Sequence, residues 1–513
     1  MKFIPVLLTL LFTLFLGTSD LASQTFSVED EDWFSVKDSG TIYGEKGVIA
    51  GHYLLTTRAL EGKEPDLKAE KDEDAGVIYV LTLLDQNLNL IGESTLPYQK
   101  GLNLMEMVYT GKYLVARFTN SVTDERWLSF ITGQGQVERT FEYTDWTLRA
   151  QAEYSLSQLR YYRKGLIPVS GGLVAVGQYG ERKGSFTRNH LRLEYFPNDT
   201  TAAGWVLTPF EYERAHNYGA DVLAVNDDLA LVHAYSGRVT TAGKTEQKLI
   251  GVDLETGTIQ FTYRVRSGGQ VQWRTARFVD DKVEVVGAVL DKDHSLSDSP
   301  AVALRRITLD ITGKQVDVRN VDILAELPKG SHKKDRLLVQ DIGFDGDGNV
   351  FVAAEIYRRI MGSLQPKDGL TFGLNNEFKL TSTLSLDKGE NGWSVVQIPY
   401  KENTGMLNPA TIAHYANIYG YFDFRFLTES PRGGYSLYLM GSEKIEEDGN
   451  VQLMVARQVG PTVVRELMEF EDDIRFAIPI PAKPGYLGVL VRAGEKGSLE
   501  LRLKRLGEAA SGK

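Results

Sequence analysis

The chain has 513 residues, with 57 Lys and Arg against 68 Asp and Glu, a formal net charge of −11, and no cysteine. The acidic balance speaks against nucleic acid and anionic membrane surfaces as partners, since both need clustered Lys and Arg. The missing cysteine removes disulfides, a thiol nucleophile, thiolate-held zinc and lipid attachment through an N-terminal cysteine.

Residues 1–23 read as a secretory signal. Lys2 supplies the positive start, Val6 to Leu16 is an apolar run broken only by Thr9 and Thr13, and Gly17, Thr18, Ser19, Ala22 and Ser23 are small residues suited to cleavage before Gln24. The run is too short to span a bilayer, and no later segment approaches 18 apolar residues. An exported chain of this size without cysteine points to a bacterial periplasm or exterior, because eukaryotic export favours disulfides.

From there to residue 507 one plan repeats, leaving 508–513 as a short tail. A tight turn leads into a strand of Tyr, Leu and Val at Gly51-His52-Tyr53, Gly111-Lys112-Tyr113, Gly171-Gly172-Leu173, Asp227-Asp228-Leu229, Asp281-Lys282-Val283, Gly348-Asn349-Val350, Gly433-Gly434-Tyr435 and Pro484-Gly485-Tyr486, at intervals of 51 to 85 residues. A second strand follows, as in Leu249–Asp253 or Ala303–Ile307, then an outer hairpin such as Asp253–Ile259 or Asp310–Val316. A fourth strand, such as Val271–Phe278, leads into the next unit. Four strands per unit of this length predict an all-β fold, a single β-propeller of four-stranded antiparallel blades. Eight blades are expected, or seven if the irregular interval from Val350 to Tyr435 is not a blade of its own. The last unit stops near Arg505, so Phe26–Val28 and Trp33–Val36 are expected to complete the last sheet and close the ring.

These turns and hairpins resemble those of the β-propeller superfamily, especially its bacterial secreted members with a D-x-x-G outer hairpin. The resemblance covers essentially the whole mature chain and is one of architecture. It implies a scaffold with a binding face and no particular chemistry. The Gly-His and Trp-Asp marks of WD repeats are absent, as are the per-blade Trp and the Cys of quinoprotein dehydrogenases.

Asp345, Asp347 and Asn349 are closely spaced oxygen donors that could hold calcium, although the EF-hand pattern fails at Val350 and Ile356. The same residues suit a turn before a strand. Ser385 to Trp393 is similar to the Asp-box hairpin of sialidases, with one residue too many before the Trp. Ala413 to Phe426 is rich in aromatics: Tyr415, Tyr419 and Tyr421, with Arg425, could stack on sugars or anchor a protein partner, or simply form a blade strand with one core face. His233 lies mid-strand and is a candidate to face a central channel. The acidic stretch Glu61 to Asp74 reads as a solvated loop. No H-x-x-x-H pair and no G-x-S-x-G elbow occurs.

Together these features predict a monomeric secreted or periplasmic binding or scaffold protein, not an enzyme. It would recognise an envelope or extracellular protein or glycan and need no cofactor unless calcium binds at Asp345. The alternative is a glycoside hydrolase or lyase using two channel carboxylates.

Overall fold

The computed structural model describes residues 24–28, 34–66, 75–123, 125–142, 165–183, 186–211, 216–238, 245–265, 271–291, 301–326, 335–360, 363–386, 424–430, 433–440, 452–469, 474–493 and 498–507. The expected signal segment, the tail and most of the Ser385–Trp393 hairpin lie outside them. None of the described helices is long and apolar enough to cross a membrane.

Strands dominate, and they form antiparallel meanders of four, numbered here in chain order. The first holds Phe34–Tyr43, Ile49–Ala59, Val77–Asp85 and Leu90–Pro97. The second holds Leu102–Tyr109, Leu114–Asn120, Arg126–Ile131 and Val137–Glu142. The third holds Leu166–Val169, Gly172–Lys183, Phe186–Pro197 and Val206–Leu207, and the fourth His216–Val225, Leu229–Arg238, Thr245–Asp253 and Ile259–Arg264. The fifth holds Val271–Val279, Lys282–Leu290, Ala301–Asp310 and Gln315–Asp322, and the sixth Asp335–Phe344, Val350–Ile360, Ser363–Leu374 and Leu380–Leu386. The seventh holds Phe424–Thr428, Tyr435–Met440, Gln452–Val459 and Thr462–Glu469. The eighth takes Ile474–Pro481, Tyr486–Ala493 and Ser498–Arg505, and its fourth strand comes from the other end of the chain: Thr25–Val28 pairs antiparallel with Ser498–Arg505. A single parallel pair, Tyr43 with Val108, joins the first two meanders into one eight-stranded sheet.

The second strand of each meander carries a mostly apolar run, as in Leu173–Val176 or Val350–Ala354, because both of its faces are covered there. Side chains alternate faces along a strand, so consecutive residues serve different cores. Leu54 packs between the first and eighth meanders while Leu55 packs between the first and second. The same division separates Val115 from Ala116, Leu173 from Val174, Leu231 from Val232, Val285 from Val286, and Phe351 from Val352. The fourth strands have one covered face only, and Leu90–Pro97 and Gln315–Asp322 are accordingly half exposed to water.

Each core lies between two consecutive meanders. Leu81 meets Leu104 (first and second), Phe130 meets Phe196 (second and third), Leu193 meets Ile250 (third and fourth), and Leu249 meets Val285 (fourth and fifth). Leu304 meets Val352 (fifth and sixth), Ala353 meets Met454 (sixth and seventh), Val455 meets Val489 (seventh and eighth), and Leu501 meets Leu84 (eighth and first).

Seven of the eight expected turns fall between a first and a second strand. The exception is Gly51-His52-Tyr53, which lies inside the strand Ile49–Ala59; the turn itself is at 44–48. Gly51 is there for close approach, since a Cβ would sit 2.2 Å from the carbonyl oxygen of Leu84 on the neighbouring strand. In the outer hairpins the expected positive φ is found, with Gly313 at φ +80.

Gly313 also receives the ring of Phe261 from the preceding meander; an added Cβ would lie 2.5 Å from Phe261 Cδ2. Gly62, at φ +74, has open space around its Cβ direction. Gly62→Ala is therefore expected to cost about 1 kcal/mol for backbone strain alone, and Gly313→Ala roughly 1–3 kcal/mol more, as urea unfolding of the two variants will read.

Candidate functional site

In a meander the connections alternate ends: first-to-second and third-to-fourth turns lie at one end, second-to-third and fourth-to-next-first connections at the other. At the first end every connection is short, such as 110–113, 170–171, 280–281 and 311–314. At the second end run the long intervals 60–76, 143–165, 291–300, 387–423 and 441–451.

The short-turn end is tied from neighbour to neighbour by polar contacts. Ser94 Oγ donates to Gly135 O at 2.8 Å, Arg139 Nη2 to Pro197 O at 2.6 Å, Trp205 Nε1 to Leu254 O at 2.8 Å, and Tyr263 Oη to Gln315 Oε1 at 2.7 Å. Arg306 Nη1 donates to Asn376 O at 2.6 Å, Val463 N to Ser382 Oγ at 3.1 Å, Gly507 N to Glu466 Oε2 at 2.9 Å, and Lys483 Nζ to Asn87 Oδ1 at 2.6 Å. These eight contacts connect all consecutive meanders and return from the eighth to the first.

First strands of several neighbouring meanders approach one another. Arg274 Nη2 donates to Val339 O at 3.3 Å, linking the fifth to the sixth. Thr275 Oγ1 donates to Glu429 Oε1 at 2.9 Å, passing over the sixth altogether to reach the seventh. Seven of these strands share an irregularity that sequence reasoning did not reach: one residue is inserted between successive register pairs. The inserted residues are Lys37, Met105, Leu223, Arg274, Gln340, Arg425 and Arg475. A bulge re-aims its side chain; Leu223 packs against the core between the fourth and fifth meanders, and the buried Gln340 donates its Nε2 to Glu355 Oε2 within the sixth. Only the short first strand Leu166–Val169 pairs without a shift.

The residues singled out by the sequence fare differently. Arg425 occupies one of these bulges, half-buried between the core residues Phe424 and Phe426. Tyr415, Tyr419 and Tyr421 lie outside the described residues. Asp345 forms a turn: its Oδ1 accepts from Asp347 N at 3.0 Å and Asn349 N at 2.8 Å, and its Oδ2 from Asn349 Nδ2 at 2.8 Å. Asp85 makes the same set of bonds with Asn87 and Asn89 in an unrelated hairpin. Both oxygens of Asp345 thus already serve N–H donors, an Asx-turn arrangement. No cluster of three metal-ligating side chains occurs among the described residues.

His233 is buried, opposite Asp221 and Leu249, with its ring 5.2 Å from that of Tyr235. His52, missed as a candidate, also lies on a second strand, that of the first meander, fully buried opposite Thr41 and Leu84. Neither imidazole has a hydrogen-bond partner among the described residues.

A family model matches residues 1–365 under the description "family of unknown function (DUF6770)". The chain belongs to the DUF6770 family. The matched stretch ends inside the sixth meander, in the strand Ser363–Leu374. No curated protein matches. Among solved structures, the WD40 domain of SCAP from fission yeast is 7% identical, with 94% of this chain and 98% of that one covered and a TM-score of 0.36. A post-proline cleaving enzyme from Rickettsia typhi is 11% identical over 86% of this chain and 56% of that one, at a TM-score of 0.38. Drosophila Semaphorin 2a is 10% identical over 79% and 74%, at 0.34.

In this DUF6770 protein the two buried histidines set an acid limit. Burial pushes each imidazole down to about 4; Asp85 opposes and Lys483 reinforces this for His52, and Asp221 and Arg274 act likewise on His233. The unfolded chain, titrating near 6.5, binds more protons than the folded one between the two values. Stability is therefore complete at pH 7.5 and falls as the pH drops from 6.5 towards 4, by on the order of 3 kcal/mol per histidine. Urea unfolding at pH 7.5 and 5 is expected to show this loss, and the His52→Leu/His233→Leu variant a smaller dependence on pH.

Proposed function

We propose that this chain is an exported binding protein: a closed eight-bladed propeller that holds a protein or polysaccharide of the cell envelope at its long-connection end and does not turn it over. The single observation that carries the reading is the contrast between the two ends. The short-turn end is fastened between every pair of neighbours, by contacts such as Arg306 to Asn376 O and Lys483 to Asn87. The other end carries the length and variety from which binding surfaces are made.

Closure is supported by two features. The strand Thr25–Val28 completes the last sheet, and the core of Leu501, Leu503, Leu54 and Leu84 joins the last meander to the first. Export is supported by the charged, apolar and small-residue order of residues 1–23 and by the absence of cysteine. The binding reading is supported by a scaffold whose polar clusters are spent on turns and inter-sheet contacts, as at Asp345.

Two exposed valine-type side chains give a direct test. Val122 lies in a connection at the long-connection end and Ile311 in an outer hairpin at the fastened end. A photo-crosslinking residue at 122 is expected to capture a partner in native cells, and one at 311 is not. Capture from 311 alone would overturn the choice of face.

A further inference from the structure

A cleft of about 600 Å³ lies between the fourth and fifth meanders, lined by Tyr263 from the fourth and by Trp273, Arg305, Ile307, Lys314 and Val318 among others from the fifth. Its floor follows from strand register. Trp273, Gly287, Arg305 and Asn320 form one row across the fifth meander, and Val285, Ile307 and Val318 form the next row on the same face. Val285 and Ile307 belong to the core shared with the fourth meander, so Arg305 is set on the face that meets that meander.

Arg305 stands five residues before Asp310, which opens the outer hairpin. The matching residues of the first and sixth meanders are Val80, before Asp85, and Leu370, before Asn375, and both are buried. The fourth meander has Lys248 there, before Asp253, and a cleft of about 640 Å³ beside it. Lys248 is engaged within the protein: Glu246 Oε1 lies 3.2 Å from its Nζ, which sits 4.3 Å over the ring of Phe210. Arg305 differs. It donates from Nε to Asn320 Oδ1 at 2.8 Å and meets no carboxylate among the described residues.

The rest of the lining also offers donors without acceptors. No acid is among the lining residues, in a chain whose acids outnumber its bases. Lys314 is exposed and its Nζ makes no ion pair among the described residues. Trp273 is buried and its indole N–H has no hydrogen-bond partner among them. Gln315 Oε1 already receives Tyr263 Oη at 2.7 Å. Asp322, farther along the same face, accepts from Leu324 N at 2.9 Å. A long cation laid along an apolar seam with its head in water would account for Arg305 alone. It does not account for a second unpaired cation and an unmet buried donor in the same cleft.

We infer that this cleft binds a small aromatic carboxylate. The guanidinium of Arg305 and the ammonium of Lys314 take the carboxylate, since a planar fork and a point charge both suit it. The ring lies against the side formed by Tyr263, Trp273, Ile307 and Val318, where aromatic and aliphatic walls favour a flat apolar body over a bare anion. The volume is in the ordinary range for a small-molecule site. The site is separate from the long-connection end and does not depend on the partner proposed there.

The test is calorimetric titration of the mature protein with 2-naphthoate, with neutral 2-naphthalenemethanol, acetate and inorganic phosphate as comparisons. Naphthoate is expected to bind, and to bind about tenfold or more weakly to Arg305→Gln. Lys314→Gln should weaken it several-fold, and Lys248→Gln, in the neighbouring cleft, should leave it unchanged. Should Arg305→Gln fail to fold, the exposed Lys314 carries the same test. Equal binding of the neutral alcohol, or affinity unchanged in both cleft variants, overturns the carboxylate contact. Equal binding of acetate or phosphate overturns the aromatic body and leaves a simple anion site. No naphthoate binding at millimolar concentration overturns the inference, whatever position 122 captures.

Discussion

A strand that is apolar on both faces cannot be satisfied by one neighbouring sheet, and this constraint governs the molecule. Leu54 and Leu55, or Leu231 and Val232, are adjacent in the chain yet belong to different cores. Each meander is therefore stable only between two others, and a row of such meanders with two ends would leave two apolar faces in water. Leu501 of the eighth meander and Leu84 of the first lie in one buried cluster. The apolar burial is what orders the sheets; the hydrogen-bond ladders within them decide only which residues face which side.

Polar groups then divide the two ends of each sheet between different tasks. At the short-turn end, side chains such as Arg139, Trp205 and Arg306 reach a carbonyl on the next meander. Each such bond contributes about 1 kcal/mol net, and its geometry fixes the angle between neighbours more than its energy fixes stability. Stacked arrangements reinforce it: Arg139 lies over the ring of Phe130 at 3.9 Å and Arg306 over that of Phe378 at 5.3 Å. A frame held rigid at one end leaves the other end free to carry long connections without loss of register.

Much of this was legible in the sequence, because the signals were local and repeated. Runs such as Leu173-Val174-Ala175 announce two-sided burial, and Asp253 and Asp310 with Gly257 and Gly313 announce outer hairpins. Thr25–Val28 is found on the last sheet, as the count of strands required, whereas Phe34–Val36, expected on the same sheet, opens the first strand of the first meander, paired with Thr56–Arg58. The turn at Gly51 was misplaced because a glycine needed for close approach to Leu84 looks the same as one needed for a positive φ. The candidate site was mostly hidden. A bulge leaves no periodic trace, since Lys37 or Arg274 interrupts an alternation already blurred by two-sided burial. His52 gave no signal because its setting depends on Leu84 and Lys483, which are distant in the chain. Arg425 was singled out for its aromatic neighbours, and its place in the structure comes from the inserted position it occupies.

The pairing of Thr25–Val28 with Ser498–Arg505 has a consequence for how the molecule comes into being. One sheet is built from both extremities of the chain, so the final meander lacks its fourth strand until the N-terminal segment returns to it. Each earlier meander is made of contiguous residues and can form as soon as it is complete, whereas this one waits for the longest loop the chain can close. Until that loop closes, an apolar edge stays open.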